Sequence, residues 1–376
     1  MATRITTIPA VAMISLTAIH LVGINAMYGL ILRNGYYDAL VQVLRHPNPT
    51  LPGSTNPILT VYNGIPPLDK LLTLASVMFA NVTDGSAPAL SVYGVHFAGQ
   101  FLGVLVVLMI EALRQGNQRT VVSLAWFIPW TCAMQMIGYG FAMPIYGIVH
   151  LWTSSSATTA TATQVPVDAH VQVLPQTMVL GYIIPSIAWA LPLPWNYVHQ
   201  WLGAVWQGSP VWVFIIYRCK ARSAAAKSKQ MRADRRSRTT ASGLTKAYRF
   251  AFATCAVTQL GCFALIAATS LCPSVFPFRL TISDVFLPAK FWTTESVSMV
   301  VGIHHFYQYD QYVGSLAAVV WAVALHVNNA KRLPAVMMTM RNWLKILVTF
   351  TGVSLFAGPV GAVVWLLWDR DVALLS

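Results

Sequence analysis

Asp310 is an acidic residue in the middle of a long apolar segment, which is an unusual position for a carboxyl group. The segment begins at Ser296, so Asp310 lies fourteen residues along it. At about 1.5 Å per residue, Asp310 is roughly 20 Å from that end of a helix and near the centre of a bilayer. A carboxyl group at this depth must be neutral, paired or beside a wet cavity. Because burial favours the protonated form, we predict that Asp310 is a general acid.

The residues around Asp310 form the densest polar and aromatic group in any apolar segment of the chain. Helical spacing places Tyr307 one turn from Asp310 on the same face, and His304 lies further round the helix. The candidate catalytic residues are Asp310, Glu295, Tyr307, Tyr309 and His304. The alternative is an interhelical hydrogen-bond network that only holds the bundle together, with Glu295 as a capping charge.

Aromatic and polar side chains in the apolar segments are candidates for a substrate-binding cavity. His96 and Gln100 share a helix face through their four-residue spacing, and aromatic ring faces can stabilise a cation where water is excluded. The candidate substrate-binding residues are Phe306, Trp321, Trp292, His96, Gln100, Trp130 and Trp189. For any single tryptophan, packing or lipid contact is the alternative.

The sequence lacks the motifs of several common chemistries. The only closely spaced carboxylates are Asp369 and Asp371, so magnesium-assisted departure of a diphosphate is disfavoured. There is no P-loop, GxSxG, HExxH or CxxC motif, and the five cysteines are scattered through apolar stretches. We expect neither a metal ion nor a cofactor.

The composition is that of an integral membrane protein. Of the 376 residues 56% are hydrophobic and 9% are charged, and the mean hydropathy is +0.59. The composition predicts one all-α transmembrane domain over residues 1–376, built as a polytopic helix bundle. Seven apolar runs are long enough to cross a bilayer, near 9–31, 90–113, 121–150, 196–217, 248–271, 296–326 and 343–368.

The positive charges indicate how the chain is oriented. The net charge of +13 is concentrated in the segment 218–247, which we interpret as a basic cytosolic loop rather than a nucleic-acid site. Arg114 to Arg119 and the cluster of Lys331, Arg332, Arg341 and Lys345 also belong on the cytosolic side. Seven crossings then place Met1 in the cytosol and Ser376 in the lumen.

Other segments fit this arrangement without crossing. Residues 176–193 contain Pro185 and Pro192, and we predict a re-entrant or interfacial helix there. The Ser- and Thr-rich segment within 153–175 is predicted to be a low-complexity lumenal loop. Asn81 begins an Asn-Val-Thr glycosylation sequon on the same side.

The segment Phe306 to Ala322 (FYQYDQYVGSLAAVVWA) resembles polytopic membrane proteins of fungal biosynthetic gene clusters. These include the membrane-bound terpene cyclases of meroterpenoid and indole-diterpenoid pathways. The resemblance implies a helical bundle in the endoplasmic reticulum membrane, with bilayer lipid and an apolar prenylated small molecule as partners. Such a protein protonates a polyene, often at a terminal epoxide, to start carbocation ring closure without a cofactor. Asp310 lies in the QYDxxVGS stretch of this segment, and by its match to that motif it would be the proton donor.

Three other functions are consistent with a chain of this kind. A proton-coupled transporter could use Asp310, His304 and His305 as a relay, although the two halves show no repeat. A seven-helix receptor or retinal protein fits the number of crossings, but a retinal protein would need a lysine in mid-membrane, whereas Lys345 lies at the start of the last apolar run. A membrane scaffold without chemistry of its own is the third alternative.

Overall fold

A computed structural model describes residues 7–154, 168–230, 236–330 and 340–375. They fold almost entirely into helices, and one isolated β-bridge joins Thr50 to Pro57. The helices are α1 Thr7–Ile24, α2 Leu30–Arg33, α3 Tyr36–Arg45, α4 Pro66–Met78, α5 Ala80–Thr83, α6 Pro88–Ala112, α7 Phe127–Met136, α8 Tyr139–Thr153, α9 Asp168–Gln172, α10 Leu174–Met178, α11 Ile184–Ala190, α12 Asn196–Gln207, α13 Ser209–Gln230, α14 Arg236–Leu271, α15 Ile282–Phe286, α16 Met299–Ala330 and α17 Met340–Leu375. Short π-helical segments, Asn25–Gly29 and Val179–Ile183, join α1 to α2 and α10 to α11. The predicted all-α membrane bundle is confirmed.

Within the described ranges, six helical segments are long and apolar enough to cross a membrane. They are Pro9–Arg33, Pro88–Ala112, His170–Ala190, Gly243–Leu271, Met299–Asn328 and Trp343–Leu374. Five of the seven predicted runs match these segments to within a few residues. The other two, 121–150 and 196–217, are each divided into shorter helices.

The run predicted to cross at 121–150 is a helical hairpin that enters the bundle and returns to the same end. Its helices α7 and α8 meet at Gly138, whose φ of +132° is readily adopted only by glycine. Trp130 and Tyr146, on opposite arms, pack with ring centroids 5.4 Å apart. Ser154, just after α8, donates a hydrogen bond to Asn117, which lies between α6 and α7. The hairpin is therefore re-entrant, and its tip is Gly138.

The segment 176–193, in contrast, lies within a helix long enough to span the bundle. Pro185 lies just after the π-helical turn Val179–Ile183, a local adjustment that accommodates a residue without an N–H inside a continuous helix, and Pro192 and Pro194 follow the end of that helix. Gln176, at one end, accepts a hydrogen bond from Lys220 in the basic part of α13. Trp189, at the other end, packs against Phe79. The segment 176–193 is therefore not re-entrant as predicted, whereas the α7–α8 hairpin is.

Helices α6 and α16 form the centre of the bundle. Every residue of α6 from Gly99 to Ala112 is buried, and α6 packs against α14 and α17. Helix α16 packs against α1, α8 and α17. The polar side chains of these two helices are consequently enclosed by protein.

Helix α17 is kinked in mid-membrane, and a buried glutamine compensates for the kink. Gly358, with φ of +75°, precedes Pro359 and interrupts the helical hydrogen bonds. The Gln100 side chain donates to Ala357 O at 3.0 Å and accepts from Val360 N at 3.1 Å. The predicted substrate-binding residue Gln100 thus supplies the partners that the kinked backbone lacks.

A buried charge cluster joins α6, α14 and α17 at one end of the bundle. Glu111 accepts hydrogen bonds from Arg114 at 2.7 Å and Arg370 at 2.5 Å, and Asp371 accepts from Arg114 at 2.5 Å. The Tyr248 hydroxyl donates to Asp371 at 2.7 Å. All five side chains are at most 2% exposed, and the two carboxylates balance the two guanidinium groups.

This cluster corrects the predicted orientation of the C-terminal helix. Residue 371 contacts Arg114, so both lie at the same end of the bundle. A cytosolic segment 114–119 and a lumenal end of α17 are therefore incompatible.

The structure describes the predicted loops only in part. The basic segment 218–247 is helical where it is described, because α13 continues to Gln230 and α14 begins at Arg236. Its alanine, lysine and arginine residues have high helix propensity. Residues 231–235 and 155–167, the latter covering most of the predicted lumenal loop, lie outside the described residues.

Asn81 is not available for glycosylation in the folded chain. Its side chain is 4% exposed, and its amide donates to Pro52 O, Asp84 and Ser86. The sequon therefore gives no support to the orientation.

Candidate active site

Asp310 is buried beside the tip of the α7–α8 hairpin. Its Oδ1 accepts a hydrogen bond from the backbone N–H of Gly140 at 2.7 Å, in the first turn of α8. A Cβ atom at Gly138 would lie 2.8 Å from Oδ1, and one at Gly140 would lie 2.8 Å from the Asp310 carbonyl oxygen. The two glycines therefore allow the hairpin tip to close on the carboxyl group.

Four tyrosines lie in the neighbourhood of this carboxyl group. They are Tyr28, Tyr93, Tyr139 and Tyr307. The Tyr28 hydroxyl donates to Ile137 O at the hairpin tip. The site combines one acid with electron-rich rings from α6, α8, α16 and the π-helical segment after α1.

The predicted residues Phe306 and Tyr307 continue this aromatic wall. The Phe306 ring packs edge-on against Tyr28, with centroids 5.8 Å apart, and lies 6.0 Å from Tyr307. Tyr307 stacks on Phe79 at 5.1 Å, and its hydroxyl donates to Met78 O at 3.1 Å. The wall therefore extends from Asp310 to the end of α4.

A cavity of about 350 Å³ lies on the other side of Phe79. Its walls come from α4, α5, α12 and the segments 51–56 and 189–196. The predicted residue Trp189 lines it, 5.8 Å from the Phe79 ring and 5.0 Å from Trp206. Phe79 and Tyr307 thus stand between this cavity and Asp310.

His304 and Tyr309 hold a surface segment against α16 and do not touch the carboxyl group. His304 Nε2 donates to Val285 O at 3.1 Å, and the Tyr309 hydroxyl donates to Ala289 O at 2.6 Å. Gln308 also donates to Val285 O, at 2.9 Å, and Tyr312 donates to Phe286 O. We call the segment 282–292 the strap, because these bonds fasten it across the helix.

The strap begins with a well-formed helix start. The Thr281 hydroxyl accepts from Asp284 N at 3.2 Å, and Thr281 N donates to the Asp284 carboxylate at 2.8 Å. The Thr281 side chain and N–H together hold the pKa of Asp284 below its ordinary value. The strap is thus fixed at its start by a capping box and along its length by α16.

His96 joins three helices. Its Nε2 lies 2.6 Å from Gln259 Oε1, an acceptor, so Nε2 carries the proton and Nδ1 accepts from Gln311 Nε2 at 3.1 Å. Both ring nitrogens are used by α14 and α16. The histidine therefore serves as an interhelical hydrogen-bond link, and neither ring nitrogen is left for a substrate.

The remaining predicted residues lie away from Asp310. Glu295 and Trp292 are exposed and precede α16, which begins at Met299 rather than at Ser296. Trp321 is eleven residues beyond Asp310 on α16, roughly 16 Å along the helix. Trp321 and Trp130 both pack on Tyr146, nearer the charge cluster.

Several residues of the site had not been predicted. The pair Gly138 and Gly140 on either side of Tyr139 is a recognisable helix-breaking signal. Tyr28 and Phe79 carry no such signal, since nothing in the sequence distinguishes them from other aromatic residues. Among the described residues, no three His, Cys, Asp or Glu side chains are grouped closely enough to hold a metal ion.

Comparison with known proteins identifies the family. The CtvD domain matches residues 11–375. Terpene cyclase ctvD of Aspergillus terreus is 28% identical over 372 residues, which cover 95% of this chain and 97% of that protein. Terpene cyclase ascI of Acremonium egyptiacum is 29% identical over 83% of this chain and 79% of that protein. Terpene cyclase janA of Penicillium janthinellum is 28% identical over 70% and 69%.

No solved structure matches the chain. The resemblance predicted from the segment around Asp310 is confirmed, because the relatives are fungal proteins named terpene cyclases. The domain match covers almost the whole sequence. The chain belongs to the CtvD-domain family.

Proposed function

We propose that this protein is a membrane-bound terpene cyclase that protonates a polyene or its epoxide to start ring closure. The observation that carries the proposal is the Asp310 carboxyl group, which is 6% exposed, accepts the Gly140 N–H and has several tyrosines in its neighbourhood. The names of the relatives support the reaction class. The contacts of Asp310 support protonation as the step that starts the reaction.

The carboxyl group is arranged to give up a proton. A carboxylic acid that accepts the Gly140 N–H through Oδ1 can carry its proton on Oδ2. When that proton bonds to the epoxide oxygen or the terminal alkene, Asp310 becomes a carboxylate. The Gly140 N–H and the N-terminus of α8 then stabilise the new negative charge.

The aromatic wall stabilises the positive charge that forms on the substrate. Protonation leaves a carbocation on the substrate, and neighbouring alkenes close rings onto it by donating their π electrons. Rings such as Tyr28, Phe306 and Tyr307 stabilise a cation through their faces and exclude water that would capture it. Loss of a proton from the last cation makes the overall reaction an isomerisation, which requires neither a metal ion nor a cofactor.

We further propose an endoplasmic reticulum location with the basic end in the cytosol. Arg114, Tyr248 and Asp371 are in contact, so the segments that carry them share one end of the bundle. The basic parts of α13 and α14 extend from it, which is typical of a cytosolic face. The prenylated substrate would enter from the bilayer, where an apolar polyene partitions.

The transporter alternative has less support from the geometry. A proton relay would connect Asp310 with His304 and His305, but the His304 Nε2–H is donated to the strap at Val285 O. Its nearest ring contact is Tyr93, at 5.4 Å.

The test is turnover of farnesyl- and geranylgeranyl-substituted aromatic compounds whose prenyl chain carries an epoxide. They are given to microsomes that carry wild-type protein or Asp310→Asn. Asparagine keeps the size of the side chain and can still accept the Gly140 N–H, but it has no acidic proton. We expect a cyclised product from the wild type and a loss of at least about 100-fold in the variant. The matched control is Asp369→Asn, at an exposed carboxylate of α17, which should retain full activity.

The other outcomes are also informative. No product with any of these substrates contradicts the cyclase proposal. Full activity of Asp310→Asn would leave a cyclase whose acid is another residue.

A further inference from the structure

The cavity beside Phe79 is a chamber separate from the carboxyl group. It is lined at its inner end by Phe79 and Trp189, both also in contact with Trp206. Phe79 stacks on Tyr307, which is one helical turn from Asp310. The cavity is thus continuous with the aromatic wall but does not contain the acid.

Phe79 and Trp189 contribute aromatic rings to this cavity, whereas several of its other lining residues are small. The small residues are Ala75, Ala80, Gly203 and Ala204. A Cβ atom on Gly203 would lie 3.0 Å from Trp189 Nε1, so this glycine keeps space open beside the indole ring. An aromatic ring can stack on an indole where small residues leave such space.

Polar groups surround the mouth of the cavity. His199 Nε2 lies 3.1 Å from the Thr83 hydroxyl, and the exposed Asp84 carboxylate lines the same opening. Gln207 lines the cavity as well, and its Oε1 accepts from Gln135 at 3.1 Å. These groups can donate to and accept from hydroxyl or carbonyl substituents on a ring.

We propose that this cavity binds the oxygen-bearing aromatic head group of the substrate, while the prenyl chain passes Phe79 and Tyr307 to reach Asp310. The inference rests on the proposed function, because only a substrate that reacts at Asp310 needs a second, non-reacting end. A ligand with a planar polar head and an apolar tail would place its head in this cavity and its tail along the aromatic wall toward Asp310. At about 350 Å³ the cavity has the size of a small ligand pocket.

The experiment uses a farnesylated phenol whose ring carries a photoreactive diazirine. Full-length protein in microsomes, either wild type or Asp310→Asn, is irradiated with the probe, digested and analysed by mass spectrometry. We expect adducts within residues 72–84 and 189–207. Excess unlabelled farnesyl phenol should remove them, whereas excess phosphatidylcholine should not.

Two variants test the cavity directly. Gly203→Leu fills the space beside Trp189 and should lower labelling by at least tenfold and raise the KM for a prenylated phenol. The matched control is Gly352→Leu, at a helical glycine with open space around it, which should label like the wild type. His199→Phe retains a ring at the cavity and removes the contact with Thr83, and a three- to tenfold loss of labelling is expected.

Other results would overturn the assignment. Adducts confined to the outer faces of α14 and α17, unchanged labelling of both cavity variants, or displacement of the probe by phosphatidylcholine each exclude a head-group site. Labelling of the cavity without turnover of any substrate would contradict the cyclase proposal alone. Turnover that depends on Asp310 with adducts elsewhere would contradict the head-group site alone.

Discussion

Gly140 is the neighbour on which both the position of Asp310 and its proposed role as an acid depend. It donates to the Asp310 carboxyl group and also lets α8 approach the backbone of α16. Asp310 could be chosen from the sequence because an acid in mid-membrane is rare. Gly140 could not, because it is 170 residues away in sequence and only the folded chain brings the two together.

A methyl group at Gly140 should therefore disturb the acid without removing it. In Gly140→Ala the new Cβ would lie 2.8 Å from the Asp310 carbonyl oxygen, so α8 and α16 must separate. We expect a loss of about 1–3 kcal/mol in unfolding free energy and at least a tenfold loss of turnover. Thermal unfolding in detergent and product formation measure the two effects. Gly261→Ala, where nothing lies within 4 Å, is the control, and equal behaviour of the two variants would contradict the prediction.

Asp69 is an acid whose role is structural. Its carboxylate accepts the backbone N–H groups of Asn63 at 3.0 Å, Tyr62 at 2.9 Å and Gly64 at 3.1 Å. These bonds, with that of Asn63 foremost, lower the pKa of Asp69 below its ordinary value. A lowered pKa adds stability that is present above the unfolded value, about 3.9, and is lost as pH falls through the folded value.

The stability difference between wild type and Asp69→Asn should consequently depend on pH. We expect the wild type to unfold at a higher temperature from neutral pH down to about pH 5, and the two curves to converge below about pH 4. Thermal unfolding in detergent over this pH series provides the measurement. Asp38→Asn, at an exposed position on α3, should follow the wild type throughout. A constant difference between wild type and Asp69→Asn down to pH 3 would exclude this linkage.

At the scale of the elements, the polar stripe of α16 serves two purposes. Asp310 faces the hairpin tip, whereas His304, Gln308, Tyr309 and Tyr312 fasten the strap. The sequence shows only that these side chains share one helix. It does not show which of them meet backbone carbonyl groups from a segment about 20 residues earlier.

Loosening the strap should expose it to protease. The double variant Gln308→Leu with Tyr312→Phe removes one of the two side-chain donors to Val285 O and the donor to Phe286 O, and it leaves Asp310 in place. We expect tryptic cleavage after Lys290 to become several-fold faster, measured by mass spectrometry of detergent-solubilised protein. Tyr37→Phe, at an exposed tyrosine of α3, is the control. Unchanged cleavage after Lys290 would show that the strap does not depend on these bonds.

The element boundaries divide into predictable and unpredictable ones. Apolar length was sufficient for α1, α6, α14, α16 and α17, since each buries a hydrophobic run. It failed at 121–150 because an apolar run has the same composition whether it crosses or turns back. The turn is set by Gly138 and by the contact of Gly140 with a distant carboxyl group.

For the whole molecule, the native cysteines offer a test of orientation. Cys219 is exposed on α13, in the basic region, and Cys272 is exposed just beyond the opposite end of α14. A membrane-impermeant maleimide added to sealed microsomes should label Cys219 and spare Cys272. Cys219→Ser should abolish the signal, and Cys272→Ser should leave it unchanged. Labelling of Cys272 alone would reverse the proposed orientation.

The charge cluster has a consequence for biogenesis. Glu111 and Arg114 are made early, but Arg370 and Asp371 follow 259 and 257 residues after their respective partners. Until α17 emerges during translation, neither Arg370 nor Asp371 is available, although Glu111 and Arg114 can pair with each other. The full cluster can form only once α17 has been made, so the closure of α6, α14 and α17 around it must be a late step of folding.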